Sequence, residues 1–152
     1  MFNIFQIYVI FIMVKKMDCL FCKIIEGSIP SRTLYEDDIV KVIMDVNPNA
    51  NGHVLVLPKK HITDFEELDG ETIAHIHGVA KDMKKLLYKA LNPDGLVLVN
   101  NYGITQVIKH YHLHIIPAYK EKQPLRDVEE VYNQIMEQKK LINKYQFFSA
   151  CS

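Results

Sequence analysis

The sequence predicts one domain of the α+β or α/β class, and three observations carry that reading. The chain has 152 residues, 49% of them hydrophobic, which suits a single buried core. Short runs of strand character recur along it, the clearest being His53–Leu57 (His-Val-Leu-Val-Leu). Only one long segment, Glu71 to about Leu91, repeats its apolar residues at helical spacing. The 18 basic and 18 acidic side chains cancel, so net charge gives no reason to expect a nucleic-acid or membrane-surface binder. A local phosphate site remains compatible with that balance. Three cysteines do not form a disulfide framework, and no export signal is evident, so a reducing, cytoplasmic setting is expected.

Residues 1–16 are an apolar leader ending in Lys15-Lys16. The run is too short for a transmembrane helix, which takes about 20 apolar residues. Its charge follows the apolar run where a signal peptide has it first. The expected domain therefore spans residues 17–145, with Met17 as its natural start and no membrane anchor. Met17–Gly27 reads as a turn into a short helix closed by Gly27. Arg32–Glu36 and Ile39–Asp45 read as strands joined at Asp37-Asp38, and Asn47–Gly52 is a loop by composition. The unbroken apolar run of His53–Leu57 suggests a central strand covered on both faces, ended by Pro58. Asp64–Leu68 is one helical turn. Asp69 or Gly70 can cap the long helix, and Pro93 forbids its continuation. Gly95–Asn100 is a further strand, Arg126–Tyr145 a surface helix, and residues 146–152 a frayed tail.

Chemistry concentrates in Gln106–Pro117. His110, His112 and His114 alternate there with Tyr111, Leu113 and Ile115. As a strand, this places three imidazoles on one face, with His110 and His114 about 13 Å apart. One ion or one phosphate cannot engage all three, so the row must divide its labour. A strand-borne imidazole becomes a nucleophile toward phosphorus when a second group fixes its tautomer and neighbouring donors stabilise the phosphoryl oxygens. Cys19-x-x-Cys22 has the spacing for zinc or for a redox dithiol, and two buried packing cysteines are the plainer alternative. No strand precedes the pair, as a redox site requires. A zinc would need two more ligands, for which His61 and one member of the row are available. His75 and His77 fit a surface or helix–sheet contact, and Lys59 and Lys60 are ordinary exposed lysines that could face phosphate.

The segment His110-Tyr111-His112-Leu113-His114-Ile115-Ile116 resembles the His-x-His-x-His-x-x signature, x apolar, of the histidine triad (HIT) nucleotide hydrolases and transferases. Asp18–Ile25, Asp45, Gly52–His61, Asn100 and Gln106 follow in the family's order. The resemblance implies an α+β fold with a five-stranded antiparallel sheet, one long packed helix and short terminal helices. It also implies a homodimer with a ten-stranded sheet. The implied chemistry is attack on a nucleotide's α-phosphorus through a nucleotidyl-histidine, with phosphoramidate-type substrates. Dinucleoside polyphosphate hydrolysis, or nucleotide binding with little catalysis, are the alternatives. On the same basis His112 is the nucleophile; His114, Gln106 and His53 contact phosphate oxygens or the leaving group. Asp45 binds the ribose hydroxyls and Asn100 the phosphate side. Structural zinc, one per chain, takes Cys19, Cys22, His61 and His110. The chain departs from the family in the turn before the row. Asn100–Gln106 is one residue short and lacks the Gly before Gln106, and Val107 stands where a hydroxyl is usual. Loss of one such donor typically costs on the order of 10²–10³ in rate, so a slower or differently selective enzyme is expected.

Overall fold

Side-chain parity along five strands determines which face of the sheet each residue serves. The computed structural model describes residues 18–149 continuously, with side chains to residue 144, and before them only Ile4, Gln6, Tyr8, Val9 and Met13. The expected leader thus falls largely outside the described residues, as do residues 150–152 of the expected tail. The strands are β1 (Thr33–Glu36), β2 (Val40–Met44), β3 (Val54–Pro58), β4 (Gly95–Val99) and β5 (Leu113–Ala118). They form one sheet in the order β1-β2-β3-β5-β4, antiparallel at every pairing. The α+β class is therefore correct, and β3 is the middle strand, buried along its whole length. Among the described residues, the α-helices packed with the sheet are α1 (Leu20–Ile25), α2 (Gly70–Leu91) and α3 (Val128–Ser149).

Val54 and Val56 of β3 face α2 in a core with Ile76, Ala80, Met83 and Leu87. Leu55 and Leu57, one residue out of phase, face α1 in a second core with Phe21, Cys22 and Ile24. Period-two alternation thus builds two apolar layers on a strand that reads as continuously apolar. The α2 cap is Asp69, whose carboxylate accepts from the Thr72 amide, the usual use of an Asp before a helix. At the other end Asn92 takes a left-handed conformation (φ 49°), and Pro93 cannot continue the ladder. His75 bonds Asp37 in the β1–β2 turn at 2.7 Å, the helix–sheet contact expected of it. Lys59 faces Glu36 at 2.8 Å and not a phosphate site. The backbone of α3 runs to Ser149, past the expected end at Tyr145. Among the described residues no helix is long and apolar enough to cross a membrane.

The histidine row departs from its expected form. β5 begins only at Leu113, so His110 and His112 precede the strand. The ladder to β3 starts at Val56↔Leu113. Beyond it the Tyr111 amide goes to the Ile62 carbonyl at 2.6 Å, and Pro58 has no N–H to offer a continuing strand. Freed from the ladder, His110 can turn away from His112 and His114.

Candidate active site

Register places the reactive side chains on the α1 face. Ile43 pairs with Leu55, and Leu55 with His114, so these three share a face. Asp45, His53 and His112 keep the same parity just beyond the strand ends. They open on a cleft of about 420 Å³ lined by Phe21, Ile24, Asp45, His53, His112 and His114, among others. That volume lies in the usual range for small-ligand sites, about 300–1,000 Å³.

His112 Nδ1 lies 2.7 Å from the His110 carbonyl. A carbonyl only accepts, so Nδ1 carries the proton and Nε2 keeps its lone pair. Phe21 packs edge-on to the ring at 5.1 Å. Burial pushes the imidazole's pKa below its ordinary value, which keeps it neutral and nucleophilic, against a smaller opposing pull from the His110 carbonyl and from Asp45.

His53 and His114 form a second pair. The Asn49 backbone amide can only donate, and it lies 3.1 Å from His53 Nδ1. Burial depresses the His53 pKa, so this neutral ring carries its proton on Nε2. That N–H meets His114 Nδ1 at 2.9 Å, with Asp45 Oδ2 at 3.5 Å. The His114 pKa is pushed down to about 4, first by burial and then by His112 and His53. Accepting at Nδ1, neutral His114 holds its proton on Nε2, which faces Asn101 Nδ2 at 3.1 Å; a half-turn of that amide presents the oxygen that this N–H needs as acceptor. Asp45, His53 and His114 could surround a metal by distance alone. However, a metal on His53 Nε2 would need Nδ1 protonated, and the Asn49 N–H already occupies that lone pair.

Cys19, Cys22, His61 and His110 gather on the other side of Phe21, all four ligand atoms within 4.8 Å of one another. His110 Nε2 donates to the Pro58 carbonyl at 2.8 Å, which leaves Nδ1 unprotonated and 3.5 and 3.6 Å from the two sulfurs. His61 Nδ1 is 3.2 Å from Cys22 Sγ. Zn–S and Zn–N bonds of about 2.3 and 2.0 Å imply tetrahedral ligand separations near 3.5 Å. The donor set fits such an ion. Burial pushes the His110 pKa down to about 4, leaving the neutral form a ligand requires.

Two expected residues sit elsewhere. Gln106, 6% exposed, donates to the Thr63 carbonyl at 2.8 Å and does not line the cleft. Asn100 donates to the His112 carbonyl at 2.7 Å and accepts from Tyr111 Oη at 3.1 Å, so it braces His112 from behind. Its neighbour Asn101 lines the cleft instead. Strand parity contains that signal: Val99 pairs with His114, so Asn101 shares their face and Asn100 does not. Val107 is 90% exposed, and the nearby Thr105 hydroxyl is committed to the Tyr102 carbonyl at 2.7 Å.

A family model described as HIT domain matches residues 26–121. The chain belongs to the HIT family. Among its HIT relatives, an uncharacterised HIT-like protein of Methanocaldococcus jannaschii is 47% identical, over 67% of this chain and 80% of that one. Adenosine 5'-monophosphoramidase of Schizosaccharomyces pombe is 39% identical, over 72% and 80%. An adenylylsulfatase of Arabidopsis thaliana is 41% identical, over 71% of this chain and 55% of that one. A Zn-bound histidine triad protein from Mycobacterium smegmatis superposes with a TM-score of 0.76 at 28% identity, covering 86% of this chain and 99% of that one.

Proposed function

We propose that the protein is a nucleotide hydrolase or transferase acting at the α-phosphorus, with phosphoramidate-type substrates, through a nucleotidyl-His112 intermediate. The observation that carries this reading is the His110 carbonyl on His112 Nδ1, which leaves Nε2 as a lone pair in the cleft. Phe21, Ile24, Ile43 and Leu55, which line the cleft, would receive the base, and Asp45 on the same cleft would bind the ribose hydroxyls. His112 Nε2 attacks phosphorus and the P–N bond of the substrate breaks. The amine leaves with the bond's electron pair and takes a proton from cleft water. A second water then cleaves the P–Nε2 bond, releases the monophosphate and returns that proton. His114 Nε2–H serves as a neutral donor to a phosphoryl oxygen, and His53 fixes its tautomer. A neutral donor avoids the loss of an imidazolium's proton during turnover. Gln106 and Asn100 act from behind the site, by holding Thr63 and the His112 carbonyl. The relatives named a monophosphoramidase and an adenylylsulfatase support the same reaction class.

Cys19, Cys22, His61 and His110 would hold one structural zinc, which supplies cross-linking of α1 to the segment before β5. A homodimer is part of the same reading. β4 is a sheet edge, and Val97 and Leu98 are 48% and 44% exposed on its opposite faces, a surface that pairing would cover. The test of function is to incubate wild type and His112→Ala with an adenosine phosphoramidate and with diadenosine tetraphosphate, then search for adenylylated protein by mass spectrometry. Phosphoramidate turnover and adduct lost in His112→Ala are expected. Equal turnover in both proteins would remove His112 as nucleophile.

A further inference from the structure

The spacing of Cys19 and Cys22 suits a zinc pair and a dithiol alike, and the zinc reading uses only the first. Their surroundings are unequal. A second cavity, of about 680 Å³, lies outside the metal cluster and is lined by Asp18, Cys19, His61, Thr63 and Lys109, among others, but not by Cys22 or His110. Cys19 is 8% exposed and Cys22 only 2%. The polar wall of Asp18, Thr63 and Lys109 suits a small polar solute, which would meet Cys19 first. The pair is also tied to the nucleotide cleft. Leu20 and Phe21, the two residues between the cysteines, both line that cleft. Phe21 packs edge-on to His110 at 5.9 Å and to His112 at 5.1 Å. Cys19 and Cys22 span the first turn of α1, closed by the Lys23 amide on the Cys19 carbonyl at 3.1 Å. Residues three apart on such a turn have Cβ atoms about 5–6 Å apart, whereas a disulfide needs about 3.5–4.5 Å. The two sulfurs lie within 4.8 Å of one another, near enough to react. Joining them must tighten the turn, and the residues it carries are Leu20 and Phe21.

We propose that Cys19 and Cys22 are a modification site for hydrogen peroxide, whose disulfide frees the metal and displaces Leu20 and Phe21 in the nucleotide cleft. Cys19 Sγ, the thiolate that a zinc ligand must be, attacks one peroxide oxygen. The S–O bond forms, the O–O bond breaks, and hydroxide leaves and takes a proton from solvent. Cys22 Sγ then attacks the Cys19 sulfur; the S–S bond forms, the S–O bond breaks, and a second hydroxide leaves to become water. Two thiolates lose two electrons and one peroxide gains them. His61 and His110 are then the only donors left to the ion. The inference rests on the zinc reading of the cluster and, for its effect on the cleft, on the nucleotide reading, but not on nucleophilic attack by His112.

The experiment treats the purified full chain with hydrogen peroxide. Zinc release is followed with a chromogenic chelator, the cysteines are assigned by peptide mapping, and binding of adenosine monophosphate is measured by calorimetry. Cys151→Ser is run in parallel to remove the third thiol. In both proteins zinc should be released in step with a Cys19–Cys22 disulfide. Affinity for the monophosphate should fall about tenfold, the size of an apolar contact partly lost. A dithiol reductant with added zinc should restore it. Zinc retained with both thiols reduced would overturn the inference, as would release with Cys19 joined to Cys151 or both sulfurs carried to sulfinic acids. A disulfide that leaves the affinity unchanged would overturn the link to the cleft. A chain that neither carries nor takes up zinc removes the zinc reading and this inference together, whatever His112→Ala shows in turnover. Untreated protein that binds zinc but no monophosphate removes the nucleotide reading and the link to the cleft.

Discussion

Asn100→Ala is the perturbation that best separates bracing from substrate contact. The side chain makes two bonds, to the His112 carbonyl at 2.7 Å and from Tyr111 Oη at 3.1 Å. Tyr111 is only 4% exposed, so its hydroxyl cannot turn to solvent. Leaving a buried donor unsatisfied costs about 1–3 kcal/mol, whereas removing both partners of such a bond can be nearly neutral. Asn100→Ala should therefore destabilise by about 2–3 kcal/mol, counting the second bond to His112. Tyr111→Phe should cost about 0.5–1.5 kcal/mol. The double variant should fall short of the sum by about 1 kcal/mol. Urea unfolding of the four proteins measures the coupling, and kinetics with an adenosine phosphoramidate give its functional counterpart. Because Asn100 touches the backbone of His112 and not the cleft, kcat should fall while KM holds. Strictly additive stabilities, within about 0.5 kcal/mol, would refute the buried pair. A rise in KM with kcat unchanged would restore Asn100 to the substrate side.

Metal analysis of the purified protein should find one zinc per chain, and Cys22→Ser should lose it with a clear drop in melting temperature, since binding to a site formed only on folding stabilises the fold. Folding stability should fall with acid between about pH 6.5 and 4. His114 titrates near 4 when folded but near 6.5 when unfolded, so in that window the unfolded chain binds the extra proton and is favoured. Denaturant titrations at pH 7.5, 5.5 and 4.5 check the sign, which the reverse order would contradict. Val97→Lys, in the exposed edge strand, should abolish the proposed dimer in sedimentation without lowering the melting temperature of the protomer by more than a few degrees.

Long periodic elements were legible from the residues alone. The α2 face, its Asp69 cap and the Pro93 stop all act within a few residues of one another, so local chemistry decides them. The middle position of β3 was legible because an apolar run covered on both faces needs layers on both sides. The site was legible only where composition is diagnostic. Cys19, Cys22, His61 and His110 do converge, but their convergence rests on ladder pairings between distant segments. The form of the histidine row was hidden, because β5 begins only at Leu113, where the Tyr111 amide has already gone to the Ile62 carbonyl. Asn100 and Asn101 look equivalent as letters. Only the pairing of Val99 with His114 separates one as brace from the other as cleft wall. Gln106 carries no comparable signal, and its bond to Thr63 could not be foreseen.

The division of the row follows from His110 having both an imidazole and a carbonyl to place. Its Nε2–H goes to Pro58, which turns Nδ1 toward the two thiols. Its carbonyl accepts the Nδ1–H of His112. A regular strand would have committed that carbonyl to the ladder and set all three rings on one face. Ending the ladder at Leu113 frees the carbonyl for His112 and the ring for Cys19 and Cys22. The same residue that would secure the metal cluster therefore sets the tautomer of His112 two positions away. Backbone irregularity is the means by which three alternating histidines acquire three chemistries. His110 turns to sulfur, His112 presents a lone pair to the cleft, and His114, continued on the true strand and faced by His53 and Asn101, presents an N–H.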